Sequence, residues 1–149
     1  MHRAFSVLIV DKKNHILLQQ RASHKYHSPR LWSNSCCGHP LKGEKATISG
    51  RRRLKEELNI DCRLEYLFSF KYRKRFANGL IENEIDHVLF GRTNSKPKPN
   101  EKEVMNYCWM SLIDIKKDIK TNPQKYTFWF KHLMNKYFNI INNKINEAS

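Results

Sequence analysis

The chain has 149 residues, of which 40% are hydrophobic, and a formal net charge of +14. This length predicts a single domain, 1–149, and no apolar run approaches the roughly 20 residues that span a bilayer, which excludes a transmembrane helix. The first apolar run lacks a small-residue cleavage site and the four cysteines form no C-x-x-C pair, so a cytoplasmic protein without a disulfide framework is expected.

The first two predicted elements are short apolar runs that form a hairpin or two neighbouring strands. "RAFSVLIVD" and "HILLQQR" are separated by "KKNH", whose residues favour a turn. The next segment, "SNSCCGHP", places two cysteines, a glycine and a histidine within four residues on a predicted turn. After it, Ala46 to Leu58 favours a helix, which is expected to end at Asn59 because asparagine tolerates the left-handed conformation.

Strands and helices also follow one another in the second half of the chain. "CRLEYLFSFKYRKRF", "IENEIDHVLFGRT" and "YCWMS" predict strands, and Thr93 to Glu103 predicts an exposed loop within the domain. "LIDIKKDI" and the segment from Pro123 to about Asn142 predict helices. The apolar side of the last segment comprises Phe128, Leu133, Phe138 and Ile141. This mixture indicates an α/β or α+β fold.

The strong positive charge favours a phosphorylated or polyanionic partner. Lys and Arg are spread from Arg3 to Lys144, whereas proteins that bind nucleic acid usually cluster them on one face. A merely basic protein would account for the charge but for none of the motifs described next. These observations favour a small phosphorylated partner over nucleic acid. No membrane association is expected, and the protein is expected to be a monomer or weak dimer.

A longer pattern begins at Gly38, inside the cysteine segment. Glu44 follows after five residues, Arg52 after seven more, and Glu56 and Glu57 stand together near the end of the predicted helix. Such carboxylates suit a hard cation bound to a diphosphate. Alternatively, the arginines and glutamates of this helix form ordinary i,i+4 ion pairs on a solvated face.

This pattern resembles the Nudix box, except that Arg53 stands where that family has Glu and Asn59 where it has Gly. Together with "HRAFSV", "LLQQR", "SNSCCGHP", "IENEID" and "YCWMS", in this order, it resembles type 1 isopentenyl-diphosphate delta-isomerase from His2 to about Trp129. The resemblance implies an α/β fold, a Nudix-type α/β/α sandwich with a mixed sheet. It also implies conversion of isopentenyl diphosphate to dimethylallyl diphosphate in isoprenoid biosynthesis. A Nudix hydrolase of a nucleoside or isoprenoid diphosphate, and a non-catalytic RNA-binding Nudix domain, remain alternatives.

The resemblance assigns the acid and base of this isomerisation to Cys37 and Glu84. Cys37 is chosen over Cys36 because it directly precedes Gly-His-Pro, and Cys36 is expected to be structural. Tyr72 matches a residue that hydrogen-bonds the catalytic glutamate. Trp129 matches an aromatic residue whose ring face stabilises a developing cation. Packing in the core is the alternative role for the cysteine and for both aromatic residues.

Two ion sites and a diphosphate site are also implied by the resemblance. The ligands of a zinc or manganese ion match His2, His39, Glu82 and Glu84. The ligands of Mg²⁺ match the Glu57 carboxylate and the Cys37 backbone carbonyl. The diphosphate contacts match Arg21, Lys25 and Arg53.

Longer isomerases carry a further ligand histidine, and a lysine directed at the diphosphate, ahead of the "HRAFS" motif. Here Met1 stands immediately before that motif. We therefore expect this chain to lack that segment, to bind the transition-type ion through four protein ligands in place of five, and to turn over slowly.

Overall fold

A computed structural model describes the protein over residues 2–147, apart from the side chain of Glu82. Over this range seven strands form one mixed sheet that is accompanied by four α-helices. The strands are β1 (His2–Val10), β2 (Ile16–Arg21), β3 (Trp32–Ser33), β4 (Cys36–Gly38), β5 (Glu65–Arg75), β6 (Ile81–Arg92) and β7 (Val104–Met110). The helices are α1 (Ala46–Leu58), α2 (Leu112–Thr121), α3 (Phe128–Lys136) and α4 (Phe138–Asn146).

Strand β1 lies at the centre of the sheet. One edge pairs in parallel with β6 from His2↔Glu84 to Val10↔Arg92. The other edge pairs antiparallel with β4 along the middle of β1, from Phe5↔Gly38 to Val7↔Cys36, and with β2 at Val10↔Ile16. The predicted hairpin is therefore confirmed, and β4 and β6 flank the same part of β1. Beyond these strands, β5 pairs with β6, and β3 and β7 pair with β2.

Alternate residues of β1 face two separate hydrophobic cores, because side chains of a strand point to opposite faces in turn. One core includes Phe5, Val7 and Ile9 with Leu54 and Leu58 of α1. The other includes Leu8 and Val10 with residues of α2, α3 and α4, among them Ile115, Phe130 and Ile141. The sheet is thus covered by helices on both faces, which confirms the predicted α/β/α sandwich.

Helix α1 spans the predicted residues and ends as expected. Asn59 at its carboxyl end has a φ of 54°, in the left-handed region that asparagine tolerates. Gly50 lets the helix approach the sheet closely, since a Cβ atom there would lie 2.8 Å from Cδ1 of Leu89. The loop between β6 and β7, Thr93 to Glu103, is also as predicted, and it folds back onto α1. Within it, the amides of Lys98 and Asn100 donate to carbonyl oxygens of the last turn of α1, each at 2.8 Å.

Two sequence predictions require correction. The segment from Pro123 to Asn142 is not one helix, because α3 and α4 are separated at Tyr137, which has a φ of −117° and a ψ of 19°. The ring of Tyr137 packs 4.8 Å from that of Phe68, a contact on β5 that local helix propensity does not anticipate. Cys37 lies on strand β4 and not on a turn. Within residues 2–147, none of the helices is long and apolar enough to cross a membrane.

Candidate active site

A cavity of about 390 Å³ lies where β1, β4 and β6 meet the loop after β2. It is lined by nine of the residues predicted from the sequence to bind or react: Arg21, Lys25, Cys37, His39, Arg53, Glu57, Tyr72, Glu84 and Trp129. Another cavity, of about 430 Å³, lies between α4, the start of β5 and the end of β6. None of the predicted residues lines that second cavity, so the first cavity is the candidate active site.

The thiol of Cys37 faces the core beside α3, whereas its neighbour Cys36 faces the α1 core and is completely buried. Strand alternation separates the two, and Cys37 pairs across the sheet with Ser6 of β1. Sγ of Cys37 donates to Oδ1 of Asn34 at 3.0 Å and accepts from Nε1 of Trp129 at 2.9 Å. Both the proton and a lone pair of this thiol therefore have defined partners.

Burial raises the pKa of the Cys37 thiol to about 11, and the nearby charge of Asp86 acts in the same direction. The Arg21 charge and the hydrogen bonds from Trp129 and Ser33 oppose this shift without cancelling it. The thiol is therefore protonated at neutral pH.

Asn34 orients this thiol, although sequence analysis did not single it out. Its Nδ2 donates to the backbone carbonyls of Val7 at 3.1 Å and Cys36 at 2.9 Å. These two bonds leave Oδ1 facing Cys37, and Asn34 is completely buried. The position of Asn34 in the predicted turn "SNSCC" could have indicated this role, because asparagine in a turn commonly forms hydrogen bonds with neighbouring backbone groups.

Glu84 lies on β6, directly opposite Tyr72 of β5. The Tyr72 hydroxyl donates to Oε2 of Glu84 at 2.8 Å, and Nε2 of His39 lies 2.7 Å from Oε1. Only 6% of Glu84 is exposed. The structure thus brings the carboxylate together with the tyrosine and one histidine that the sequence predicted beside it.

The predicted ligands of the transition-type ion are brought together in part. His39 and Glu84 are in contact, and His2 pairs in register with Glu84 at the exposed start of β1. Glu82 lies on β6, but its side chain is outside the described residues. Among the described side chains, no three His, Cys, Asp or Glu residues are close enough to hold a metal ion as they stand.

Asp86 extends the acidic face of β6 into the cavity and was missed by the sequence analysis. It follows Glu84 by two positions on a predicted strand, so strand alternation, which places both side chains on one face, was the signal that could have found it. Oδ2 accepts from Ser6 at 2.8 Å, whereas buried Oδ1 has no hydrogen-bond partner among the described residues. A buried oxygen without a donor beside an imidazole and a carboxylate fits a site that receives a divalent cation.

In the metal-free protein, the contribution of Asp86 to the free energy of unfolding is expected to fall as pH rises from about 4 to about 7. Burial raises the pKa of Asp86 from 3.8 to about 7, so the folded protein holds a proton that the unfolded chain has released. Rising pH therefore favours unfolding, by at most about 4 kcal/mol for this group. In urea unfolding across this range, with a chelator present, the free energy of unfolding of the unmodified protein should decrease with pH relative to that of Asp86→Asn. Equal pH dependence in both proteins would contradict the assignment.

The cationic residues predicted to bind diphosphate lie at the other side of the cavity. The Arg21 guanidinium donates to the His27 carbonyl and lies 5.4 Å from the centre of the Trp129 ring. The Trp129 ring is thus near the positive charge of Arg21. Arg53 NH2 lies 2.7 Å from Oε2 of Glu57, the ion pair that the alternative interpretation of the helix had anticipated.

Both oxygens of the predicted magnesium ligand Glu57 are engaged by side chains. Oε2 binds Arg53, and Oε1 accepts from Nε2 of Gln19 at 2.9 Å. Glu57 is 4% exposed, so these donors compensate a buried carboxylate. Such a carboxylate is the oxygen ligand that Mg²⁺ prefers, provided that Gln19 or Arg53 yields its hydrogen bond.

Comparison with known proteins places these residues in a family context. The chain matches the NUDIX domain family over residues 1–130. It is 47% identical over 135 residues to isopentenyl-diphosphate delta-isomerase 2 of Photorhabdus laumondii, covering 91% of this chain and 76% of that protein. With isopentenyl-diphosphate delta-isomerase 2 of Aromatoleum aromaticum it shares 44% identity over 129 residues, 87% of this chain and 68% of that protein.

Solved structures resemble the fold at lower sequence identity. The MutT protein of Methanosarcina mazei superimposes with a TM-score of 0.75 at 17% identity, covering 93% of each chain. A MutT NUDIX hydrolase of Burkholderia pseudomallei gives a TM-score of 0.70 at 20% identity, with 91% of this chain and 96% of that chain covered. Likeness at this level concerns the fold alone.

Proposed function

The chain belongs to the Nudix family and, within it, to the isopentenyl-diphosphate delta-isomerases, and we propose that its cavity converts isopentenyl diphosphate into dimethylallyl diphosphate. The observation that carries this proposal is the placement of Cys37 and Glu84. They project into one cavity from the two strands that flank β1. Acid–base chemistry on a double bond needs two such groups on one substrate.

The proposed reaction adds a proton to the terminal methylene carbon and removes one from the carbon two bonds away, through a tertiary carbocation-like state. One member of the Cys37 and Glu84 pair donates a proton and the other accepts one, so the pair ends the reaction with exchanged protonation states. Asn34 and Trp129 hold the sulfur by hydrogen bonds, and Tyr72 holds the carboxyl group. Fixed donors and acceptors lower the cost of orienting the reacting groups.

We propose that His2, His39, Glu82 and Glu84 hold a manganese or zinc ion. When bound, such an ion would supply positive charge beside Glu84, which stabilises the carboxylate form of that residue. The diphosphate is assigned to Arg21, Lys25 and Arg53, with Mg²⁺ held by Glu57 and the Cys37 carbonyl. Charge complementarity with the substrate supports this assignment.

The direct test is incubation of the protein with isopentenyl diphosphate, Mg²⁺ and Mn²⁺, with the products identified by NMR. Dimethylallyl diphosphate with no release of phosphate is the expected product. Release of phosphate or diphosphate without a shifted double bond would identify a Nudix hydrolase. A substrate recovered intact under all metal conditions would refute enzymatic turnover.

Trp129 provides a further prediction, since it both lines the cavity and binds the Cys37 sulfur. Trp129→Phe keeps an aromatic face but loses the N–H donor, whereas Trp129→Leu loses the ring as well. We expect kcat to fall in the order Trp, Phe, Leu, because ring attraction for a desolvated cation is worth up to about 2 kcal/mol. Kinetics should be compared at matched folded fractions, judged by circular dichroism. Equal rates for the Phe and Leu variants would indicate that the ring acts only by packing.

A further inference from the structure

Glu103 lies between two of the cations assigned to the substrate diphosphate. Its Oε2 contacts Nζ of Lys25 and lies 3.5 Å from NH2 of Arg53. The side chain is 26% exposed, so it is partly removed from solvent beside two residues that line the cavity. A single carboxylate oxygen therefore meets both cations.

Backbone hydrogen bonds fix the position of Glu103. Its amide donates to the carbonyl of Asn100 at 2.9 Å, and its carbonyl accepts from the amide of Ala22 at 3.1 Å. Asn100 is in turn bound through its amide to the carbonyl of Glu57, at 2.8 Å. The segment carrying Glu103 is thus attached to the end of α1 and to the start of the loop that carries Lys25.

The charge state of Glu103 agrees with this placement. Burial acts to raise its pKa, but the hydrogen bond and charge of Lys25 and the charge of Arg53 outweigh burial and lower it. The carboxylate is therefore ionised at neutral pH. It offers the two cations the same kind of partner, an anionic oxygen, that a phosphate would offer.

We propose that Glu103 is an internal counter-ion of the diphosphate site, which must leave Lys25 and Arg53 when a diphosphate binds. This inference rests on the proposed function. A carboxylate and a phosphate oxygen cannot both occupy the position between these two cations, so the affinity for diphosphate is reduced by the energy of the two ion pairs. The remaining negative charge of Glu103 then also opposes binding of a diphosphate that carries no metal ion.

A consequence is that Glu103 favours the magnesium complex of a diphosphate over the free anion. A divalent cation bound with the diphosphate offsets the repulsion between the phosphates and the displaced carboxylate. Glu103 would thus determine which form of the substrate binds well, without taking part in proton transfer.

The test measures binding of inorganic pyrophosphate by calorimetry, with a chelator and then with excess Mg²⁺. Glu103→Gln keeps the shape of the side chain and removes its charge. Without metal it should bind pyrophosphate about three- to tenfold more tightly than the unmodified protein, the range expected for losing two partly exposed ion pairs. With Mg²⁺ the gain should be smaller than without metal, because the metal offsets the repulsion from the displaced carboxylate while the cost of breaking the two ion pairs remains.

Two matched variants serve as controls. Glu101→Gln removes a charge from an exposed residue of the same segment and should leave both affinities unchanged. Glu103→Asp keeps the charge and should not bind metal-free pyrophosphate more tightly. Unchanged or weaker metal-free binding by Glu103→Gln would overturn the proposal. So would a loss of its binding with Mg²⁺, which would instead make Glu103 a metal ligand.

The same preparations should be assayed for isomerisation. Pyrophosphate has no double bond, so its binding does not depend on Cys37 chemistry. An unmodified protein that binds pyrophosphate as expected but does not isomerise would refute the proposed function and leave the role of Glu103 intact.

Discussion

Replacing Cys37 by serine is expected to lower kcat for isomerisation by at least about 10³-fold, with KM for isopentenyl diphosphate much less affected. A hydroxyl is a far weaker acid than a thiol, and serine places its oxygen nearer the main chain than the sulfur that Asn34 and Trp129 bind. Steady-state kinetics should be accompanied by uptake of deuterium from D₂O into substrate and product, which reports proton transfer directly.

Cys36→Ser is the matched control for this loss. The two cysteines are adjacent on β4, but Cys36 is buried in the α1 core on the other face of the sheet. Its replacement should lower the midpoint of thermal unfolding while most of the kcat of the folded fraction is kept. Comparable turnover by both variants would show that Cys37 is not part of the acid–base pair.

The second large effect is expected for Glu84→Gln, which should also reduce kcat by at least about 10³-fold. The amide keeps the size of the side chain but can neither carry the transferred proton nor bind a divalent ion as a carboxylate does. Metal content, measured by mass spectrometry after dialysis against Mn²⁺ or Zn²⁺, should fall together with turnover.

Tyr72→Phe separates the orientation of Glu84 from its chemistry. It removes one hydrogen bond to the carboxyl group and leaves the carboxyl group itself in place. A loss of about 10- to 100-fold in kcat is expected, the usual value of a hydrogen bond to a charged group. Metal content should not change. Near-native turnover by Glu84→Gln would exclude Glu84 from the reaction, whatever the Tyr72 variant does.

Local patterns predicted the elements that local forces determine. Helix α1 and its end at Asn59 follow from helix-forming residues followed by one that accepts a left-handed conformation, and the strands follow from apolar alternation. The interruption at Tyr137 could not be predicted in this way, because it depends on packing against β5 residues that lie about 70 positions earlier in the chain.

Resemblance to the isomerases indicated the residues that line the cavity, but not their present partners. Asn34 and Asp86 act through contacts made only when β1, β4 and β6 assemble. Glu103 lies in a loop whose position is set by the end of α1. The roles assigned to Cys37, Glu84 and the cations stay predictions, and the variants described above test them.

The direction of β1 affects how the protein is best purified for metal analysis. Because β1 and β6 are parallel and His2 pairs with Glu84, residues added ahead of His2 would emerge beside His39 and Glu84. The far end of β6 lies about 26 Å away, at the strand rise of about 3.3 Å per residue, and there Arg92 binds the carbonyl of Ile145 in α4. A polyhistidine tag at the amino terminus would therefore bring imidazoles to the proposed ion site and could load or strip it. A tag after α4 keeps those competing ligands at the opposite end of the sheet.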